Sequence, residues 1–293
     1  MNTSNNTNSD TDRNLIMQRY FNMHMRYEGG DTNNQIGQAR RKTTVLVVAR
    51  FGLTSPTVIA QLYGISYRQA LEHLNKLVKQ NLLLLITTHR SVDGRIYICD
   101  ADGAKFAEEL MSIPVYFRRV SPAERGVNLN AVMHDLILSH ILLSMMHEPS
   151  RFDDAYYAYQ GLMSEKEFKR LFKNTDNRIV DGLILENTTD GLIKIGIEVE
   201  CSFKNKAQRS VILLKYIAAI KAGVYQKVFL ISQSQQIFDD IRRLNTQLLQ
   251  ELTQVIDKKT RKPFLTENDA NILKSSIIFR TKYCRELTEL FYS

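Results

Sequence analysis

Three carboxylates and a lysine fall within one short stretch, RIVDGLILENTTDGLIKIGIEVECSFK, spanning residues 178–204. They are Asp181, Glu198, Glu200 and Lys204, in the spacing Asp-x16-Glu-x-Glu-x3-Lys. Two apolar runs, 179–185 and 192–199, flank the turn-forming cluster 187–191, a pattern that predicts a β-hairpin. In the second run Ile193, Ile195, Ile197 and Val199 alternate with Lys194, Gly196, Glu198 and Glu200. A side-chain period of two puts the apolar set on one sheet face and both glutamates on the other. A hairpin closing about Thr189 and Asp190 sets Asp181 directly opposite Glu198. Like charges placed so are destabilising, and a hard divalent cation such as Mg²⁺ or Mn²⁺ relieves that repulsion. Such an ion can activate water for attack on a phosphodiester. Lys204, just past the strand, is placed to steady charge on the reacting phosphate. The same residues also suit an edge hairpin with a solvated acidic face.

Several elements must position these groups. A helix over about 129–146 precedes the hairpin and carries His134, Asp135 and, farther on, His140. Residues 151–159 are expected to begin the sheet. Residues 164–172 form a basic helical segment with Lys166, Lys169 and Arg170, either a phosphate-contacting surface or a solvated face. A helix over 207–222 follows the hairpin and brings Arg209, Lys215 and Tyr216 near the carboxylates. Then come a strand at 228–231, a helix over 238–256, a charged loop at 257–263 with Lys258, Lys259, Arg261 and Lys262, an edge strand at 277–280 and a terminal helix ending at Tyr292.

The carboxylate–lysine pattern, with a helix before it and a helix and strand after it, resembles the PD-(D/E)xK nuclease core of restriction endonucleases. Glu200 stands where the usual lysine does and Lys204 lies downstream; this variant resembles the MOBC class of conjugative relaxases, over roughly the last 170 residues. Val180 precedes Asp181 where the pattern has proline. The resemblance implies a mixed-sheet α/β (α+β) nuclease domain that nicks one strand at a plasmid transfer origin. Asp181 and Glu198 would bind Mg²⁺ or Mn²⁺, Glu200 would complete the site or orient water, and Lys204 would act on the phosphate. His134 or Asp135 would be donated by the preceding helix, with Arg209 as a further accessory group. The family's partners are duplex DNA, an accessory mobilisation protein and a membrane-bound type IV coupling protein. A replication or repair nuclease on the same fold, and a non-catalytic DNA-binding regulator, remain alternatives.

The N-terminal half reads as a second unit. Arg40-Arg41-Lys42 opens a helix over 43–51; Ser55-Pro56 starts a helix at 57–63; Gly64 makes a turn; Ser66 caps a helix over 67–80. Strands at 82–87 and 95–99 flank a polar tip. This order looks like a winged helix-turn-helix domain, whose third helix enters the major groove. Tyr67, Arg68, Gln69, Glu72, His73, Lys76 and Lys79 are its expected outward residues, with His89, Arg90 and Arg95 on the wing meeting phosphate or minor groove. The same fold can also serve protein contacts alone.

Residues 1–38 read as a flexible arm and linker, with an Asn/Ser/Thr-rich start to Asp12 and a short packed helix over 14–27. Tyr20 and Tyr27 lie among basic residues there, but the His-hydrophobic-His motif that accompanies tyrosine nucleophiles is absent from the sequence. Residues 39–112 form the winged unit, and 123–293 the nuclease-like unit. With 293 residues and a formal charge of +8, the chain favours a polyanionic partner. Only Cys99, Cys201 and Cys284 are present, in no metal-ligand spacing, as suits a reducing cytoplasm. No apolar run reaches membrane-spanning length, and the start is not a signal peptide.

Overall fold

Apolar alternation along residues 191–199 fixes the middle of a five-stranded sheet, and two helical layers cover its faces. In the computed structural model the described residues are all but 1–4, 116, 118, 119, 151–156, 173–176, 257, 259 and 293, with side chains from residue 13 onward. Among them are the helices α1 (Asn5–Phe21), α2 (Asn33–Phe51), α3 (Pro56–Tyr63), α4 (Tyr67–Lys79), α5 (Ala101–Met111), α6 (Val132–Met145), α7 (Glu165–Leu171), α8 (Lys206–Lys221), α9 (Gln235–Gln254), α10 (Glu267–Ser276) and α11 (Tyr283–Phe291). The strands are β1 (Leu83–Thr87), β2 (Arg95–Cys99), β3 (Tyr159–Ser164), β4 (Gly182–Thr188), β5 (Gly191–Val199), β6 (Lys227–Ile231) and β7 (Ile277–Phe279). The class is mixed α and β, as expected.

The large sheet has the order β3-β4-β5-β6-β7. The strands β3, β4 and β5 form an antiparallel meander, while β6 and β7 run parallel to β5. The hairpin register pairs Gly182 with Ile197 and Thr188 with Gly191, closing about Thr189 and Asp190 as the sequence predicts. Ile195, Ile197 and Val199 pack with Ile184 against α6 and α11. The opposite face carries Leu183 and is covered by α1, α8, α9 and α10. Helix α10 is absent from the sequence reading. Its apolar positions are few, and a capping box at Thr266 and Asp269 marks its start.

The N-terminal unit is a helix trio with a two-stranded hairpin. Helix α2 begins ten residues earlier than expected, because Thr32 and Gln35 form a capping box. Gly64 ends α3 with φ of 61°, a left-handed turn that glycine adopts without strain. Ser66 and Gln69 cap α4 reciprocally. At α3 the cap differs from expectation: Ser55 makes no side-chain cap bond. Asp93, at the tip of the β1–β2 hairpin, accepts instead from Thr57 N at 3.3 Å and Thr57 Oγ1 at 2.7 Å.

The packed helix expected over 14–27 forms, ends at Phe21 and starts earlier, so described residues expected to be flexible are helical. Residues 5–12 form the first turns of α1, and Met17, Tyr20 and Phe21 are buried against the sheet. Once residues 13–21 are helical and packed, each added residue gains a hydrogen bond without a new nucleus, so the polar start extends the helix. Gly161 permits that docking, since a Cβ there would stand 2.2 Å from the Phe21 carbonyl oxygen. The segment expected to begin the sheet lies outside the described residues up to Tyr156; β3 starts at Tyr159.

The two units share one core. Val47, Phe51, Leu53 and Val58 of the N-terminal unit join α6 and the sheet in a continuous apolar cluster. At its edge Arg50 of α2, fully buried, donates to Glu167 of α7 at 2.8 and 2.9 Å and to the Leu162 carbonyl at 2.7 Å. Glu167 is also the capping-box partner of Ser164. Breaking a buried pair leaves an unpaired charge in an apolar setting. Arg50→Ala or Glu167→Ala should therefore lower unfolding stability by roughly 3–5 kcal/mol. Arg50→Met combined with Glu167→Met should cost less than the sum of the single alanine changes, as read by urea unfolding.

Candidate active site

Strand β5 delivers Glu198 and, one residue past its end, Glu200, both turned away from the Ile195–Ile197–Val199 core. They emerge where β5 and β6 end together. Glu200 N donates to the Ile231 carbonyl at 2.7 Å, and Ser232 Oγ donates to the Glu200 carbonyl at 2.7 Å. Asp181 immediately precedes β4, and the hairpin register continues to place it across from Glu198. All three carboxylate residues are buried: Asp181 is 8% exposed, Glu198 and Glu200 1% each.

Each carboxylate has its own cation. Asp181 Oδ2 accepts from Val199 N at 2.8 Å and lies 3.1 Å from His134 Nε2 in the first turn of α6. The other ring nitrogen of His134 lies 3.4 Å from Asp135 Oδ1. Arg178 clamps Glu198 with two parallel bonds, Nε to Oε1 at 2.7 Å and Nη2 to Oε2 at 2.8 Å. Glu200 is held from two sides, by Lys204 Nζ and by Arg209 Nη1 at 2.8 Å. Arg209, itself fully buried, is fixed by Asn245 of α9 at 3.1 Å. A capping box at Asn205 and Gln208 starts α8 and so sets Arg209 in its first turn.

The electrostatics follow from this pairing. Burial disfavours the imidazolium of His134, but hydrogen bonds to Asp135 and Asp181 and the Asp181 charge outweigh it, holding its pKa up to about 11. Burial works against the Asp181 carboxylate too, yet His134 and the Val199 N–H bring its pKa below the ordinary value. Glu198 is shifted the other way, by burial and by the charge of Asp181, with Arg178 opposing. Burial lowers the pKa of Lys204. Tyr216 Oη and Arg209 Nη2 lie buried here without a hydrogen-bond partner. Burial and the Glu198 charge push the Tyr216 phenol well up.

The sequence-derived set is thus gathered in part as expected. Asp181, Glu198, Glu200, Lys204, His134, Asp135 and Arg209 converge; Lys215 offers its carbonyl to Arg178 N, but its side chain is exposed. Lys204 turns to Glu200 rather than standing free. Among the described residues, no three Cys, His, Asp or Glu side chains are close enough together to hold a metal ion. Sequence reading gives no role to Arg178, Asn245, Ser232 or Tyr225. Arg178 heads the motif stretch and its position three residues before Asp181 is a usable signal; the others lie on distant elements and carry none. No protein-family model, curated protein or solved structure matches the chain.

On α4, Tyr67, Arg68, Gln69, Glu72, Lys76 and Lys79 are exposed, as expected. Arg68 pairs with Glu72 at 3.0 Å, and the Gln69 side chain is engaged in the cap. His73 is a correction. It turns inward, bonds Thr44 Oγ1 at 2.9 Å and packs edge-on against Tyr63, because position 73 faces α2 and α3. Burial and the nearby Arg40 and Lys76 depress its pKa to about 4, so it is a neutral, half-buried group. His89 and Arg90 are exposed at the wing tip, and Arg95 is half-buried. In the loop after α9, Lys258, Arg261 and Lys262 are exposed, and Lys259 lies outside the described residues. The three cysteines are free.

The His134 shift makes a pH prediction. Its folded pKa of about 11 exceeds its unfolded value, so its stabilising effect is complete below the unfolded pKa and fades as pH rises toward the folded one. His134→Gln should cost about 2 kcal/mol near pH 6, and progressively less between there and about pH 11. Parallel denaturant titrations of both proteins across that range check it.

Proposed function

We propose that the chain is a metal-dependent DNA nicking endonuclease of the conjugative relaxase kind, with the N-terminal unit acting as a winged helix-turn-helix. One observation carries the reading: Asp181 and Glu198, both buried, face each other across the hairpin at the shared end of parallel strands β5 and β6. The sequence resemblance rests on the carboxylate–lysine spacing with a helix before it and a helix and strand after it, and α6, α8 and β6 stand in that order around the hairpin. The exposed basic side chains of α4 support contact with a polyanion.

Asp181 and Glu198, two facing carboxylates, would hold a hard divalent cation, Mg²⁺ or Mn²⁺, in an arrangement with Arg178 displaced from Glu198; in the arrangement described, no three Cys, His, Asp or Glu side chains among the described residues are grouped for one. Such an ion supplies Lewis-acid stabilisation of a phosphodiester. Asp181 is oriented for this by His134 and the Val199 N–H. Glu200, enclosed by Arg209 and Lys204, holds the Lys204 ammonium beside the carboxylates, where it would act on a bound phosphate. Duplex DNA with a transfer origin, an accessory mobilisation protein and a type IV coupling protein are the partners that accompany this reading, in a bacterial cytoplasm. Among the described residues no helix is long and apolar enough to cross a membrane.

A second reading has its own support. Since each carboxylate is already neutralised by a protein cation, the site can be purely structural in a DNA-binding regulator. A replication or repair nuclease cutting both strands is the remaining variant. Supercoiled plasmid incubated with the protein and Mn²⁺ separates the three: relaxed circles, linear DNA, or a retained gel shift without cleavage.

Asp181→Ala and Glu198→Ala should each abolish nicking, and Lys204→Ala should slow it about 100-fold by removing a charge-stabilising donor. Plasmid that is still relaxed by Asp181→Ala would move the chemistry elsewhere. On α4, Lys76→Ala should lower the salt slope of DNA binding by about one, and Arg68→Ala should cost roughly 1–3 kcal/mol on the cognate sequence only. Fluorescence anisotropy over a salt series measures both.

A further inference from the structure

Arg178 does more than neutralise Glu198. Its two bonds occupy both carboxylate oxygens, and the exposures of the two side chains are unequal, 28% for Arg178 and 2% for Glu198. The guanidinium is therefore the part of the pair that an incoming ligand meets first. Its backbone is anchored, with Tyr225 Oη donating to the Arg178 carbonyl at 3.3 Å and Arg178 N donating to the Lys215 carbonyl. Only the side chain is left to move. Arg209 differs: it is fully buried and braced by Asn245, so Glu200 keeps its partner whatever Arg178 does.

A guanidinium binds phosphate in the same bidentate geometry that it uses for carboxylate. A cation on Glu198 and Arg178 on Glu198 compete, because both draw on the same carboxylate and two positive charges placed on it repel each other. Two buried donors beside the pair, Tyr216 Oη and Arg209 Nη2, have no acceptor in this arrangement.

Resting on the nuclease reading above, we propose that Arg178 is an exchangeable counter-ion of Glu198: a DNA phosphate draws it off, and only then does Glu198 become free for a divalent cation. Metal and DNA binding are in that case positively coupled. By linkage each raises the affinity of the other by the same factor. The free protein holds Mn²⁺ weakly and is protected from idle hydrolysis, while the site is completed by the substrate itself.

The test titrates Mn²⁺ into the full chain and reads free ion by electron paramagnetic resonance, a signal independent of cleavage. Wild type, Arg178→Gln and Arg178→Lys are compared, each with and without a short random-sequence duplex. Without DNA, Arg178→Gln should bind Mn²⁺ about 10-fold or more tightly than wild type, an ordinary size for a coupling between sites. Arg178→Lys, which keeps the charge but not the fork, should fall between. DNA should tighten Mn²⁺ binding in wild type and do little more in Arg178→Gln. Equal Mn²⁺ affinity of wild type and both variants without DNA, alongside nicking by wild type, overturns the role of Arg178 and leaves the nuclease reading standing. Absence of Mn²⁺ binding in every protein, with and without DNA, and absence of nicking, overturns both. Melting curves without metal show that the variants are folded.

Discussion

Burying three carboxylates at one end of a sheet is the constraint that the rest of this molecule answers. A carboxylate taken out of water is strongly disfavoured unless it is paired and hydrogen-bonded, and here Asp181, Glu198 and Glu200 are all enclosed. Each packed element brings compensation. Helix α6 presents His134, the segment before β4 presents Arg178, the turn after β5 presents Lys204, and α8 presents Arg209 with α9 bracing it. The layers on both faces are therefore tied to the strand end by charge as well as by apolar packing. A shift of either layer would leave a carboxylate without its cation.

The part of this arrangement that was legible is the part carried by local period. Alternation along β5 and the turn residues at 187–191 specify one register, since slipping by one residue would turn Ile195 and Ile197 outward and Glu198 inward. The pairing of Gly182 with Ile197 is that register. The cations were less legible because none is set by a period. Arg209 was within reach of the reading, lying on the helix next to the hairpin. Asn245 arrives from a helix 36 residues later, and no local pattern marks it. His73 failed for a different reason. Its neighbours on α4 face outward, and only the closeness of α2, with Thr44 at hydrogen-bond distance, decides that this one faces in.

Domain organisation shows the same division between local and distant information. Helix, turn and hairpin signals mark α3, α4 and the β1–β2 hairpin nearly where they form, while α2 starts well before its expected place. What the signals do not carry is that α2 and α3 are packed onto α6. Nor does any of them reveal that Arg50, the one basic residue in the apolar second half of α2, is buried against Glu167. The isolated arginine at that position is compatible with a solvated edge until α7 is placed beside it. Helix α1 adds a third anchor, its Phe21 backbone lying against Gly161 of β3. Motion between the N-terminal unit and the sheet would thus require opening an apolar core and breaking a buried ion pair together, which makes rigid coupling of the two the lower-energy state.

That rigidity bears on how a site of paired charges can be more than structural. A buried pair replaced by well-packed apolar residues is often no less stable, so stability alone gives little reason to keep Asp181, Glu198, Arg178 and Glu200 together. The pairs differ in kind. Arg209 and Glu200 are both sealed, with side-chain exposures of 1% each. Arg178 covers Glu198 at a surface a solute can reach. A purely structural cluster has no need of that asymmetry. The immobile pair is braced on α8 and α9, and the exchangeable one sits on the segment entering β4. Any ligand that separates Arg178 from Glu198 therefore acts on a frame already fixed around it.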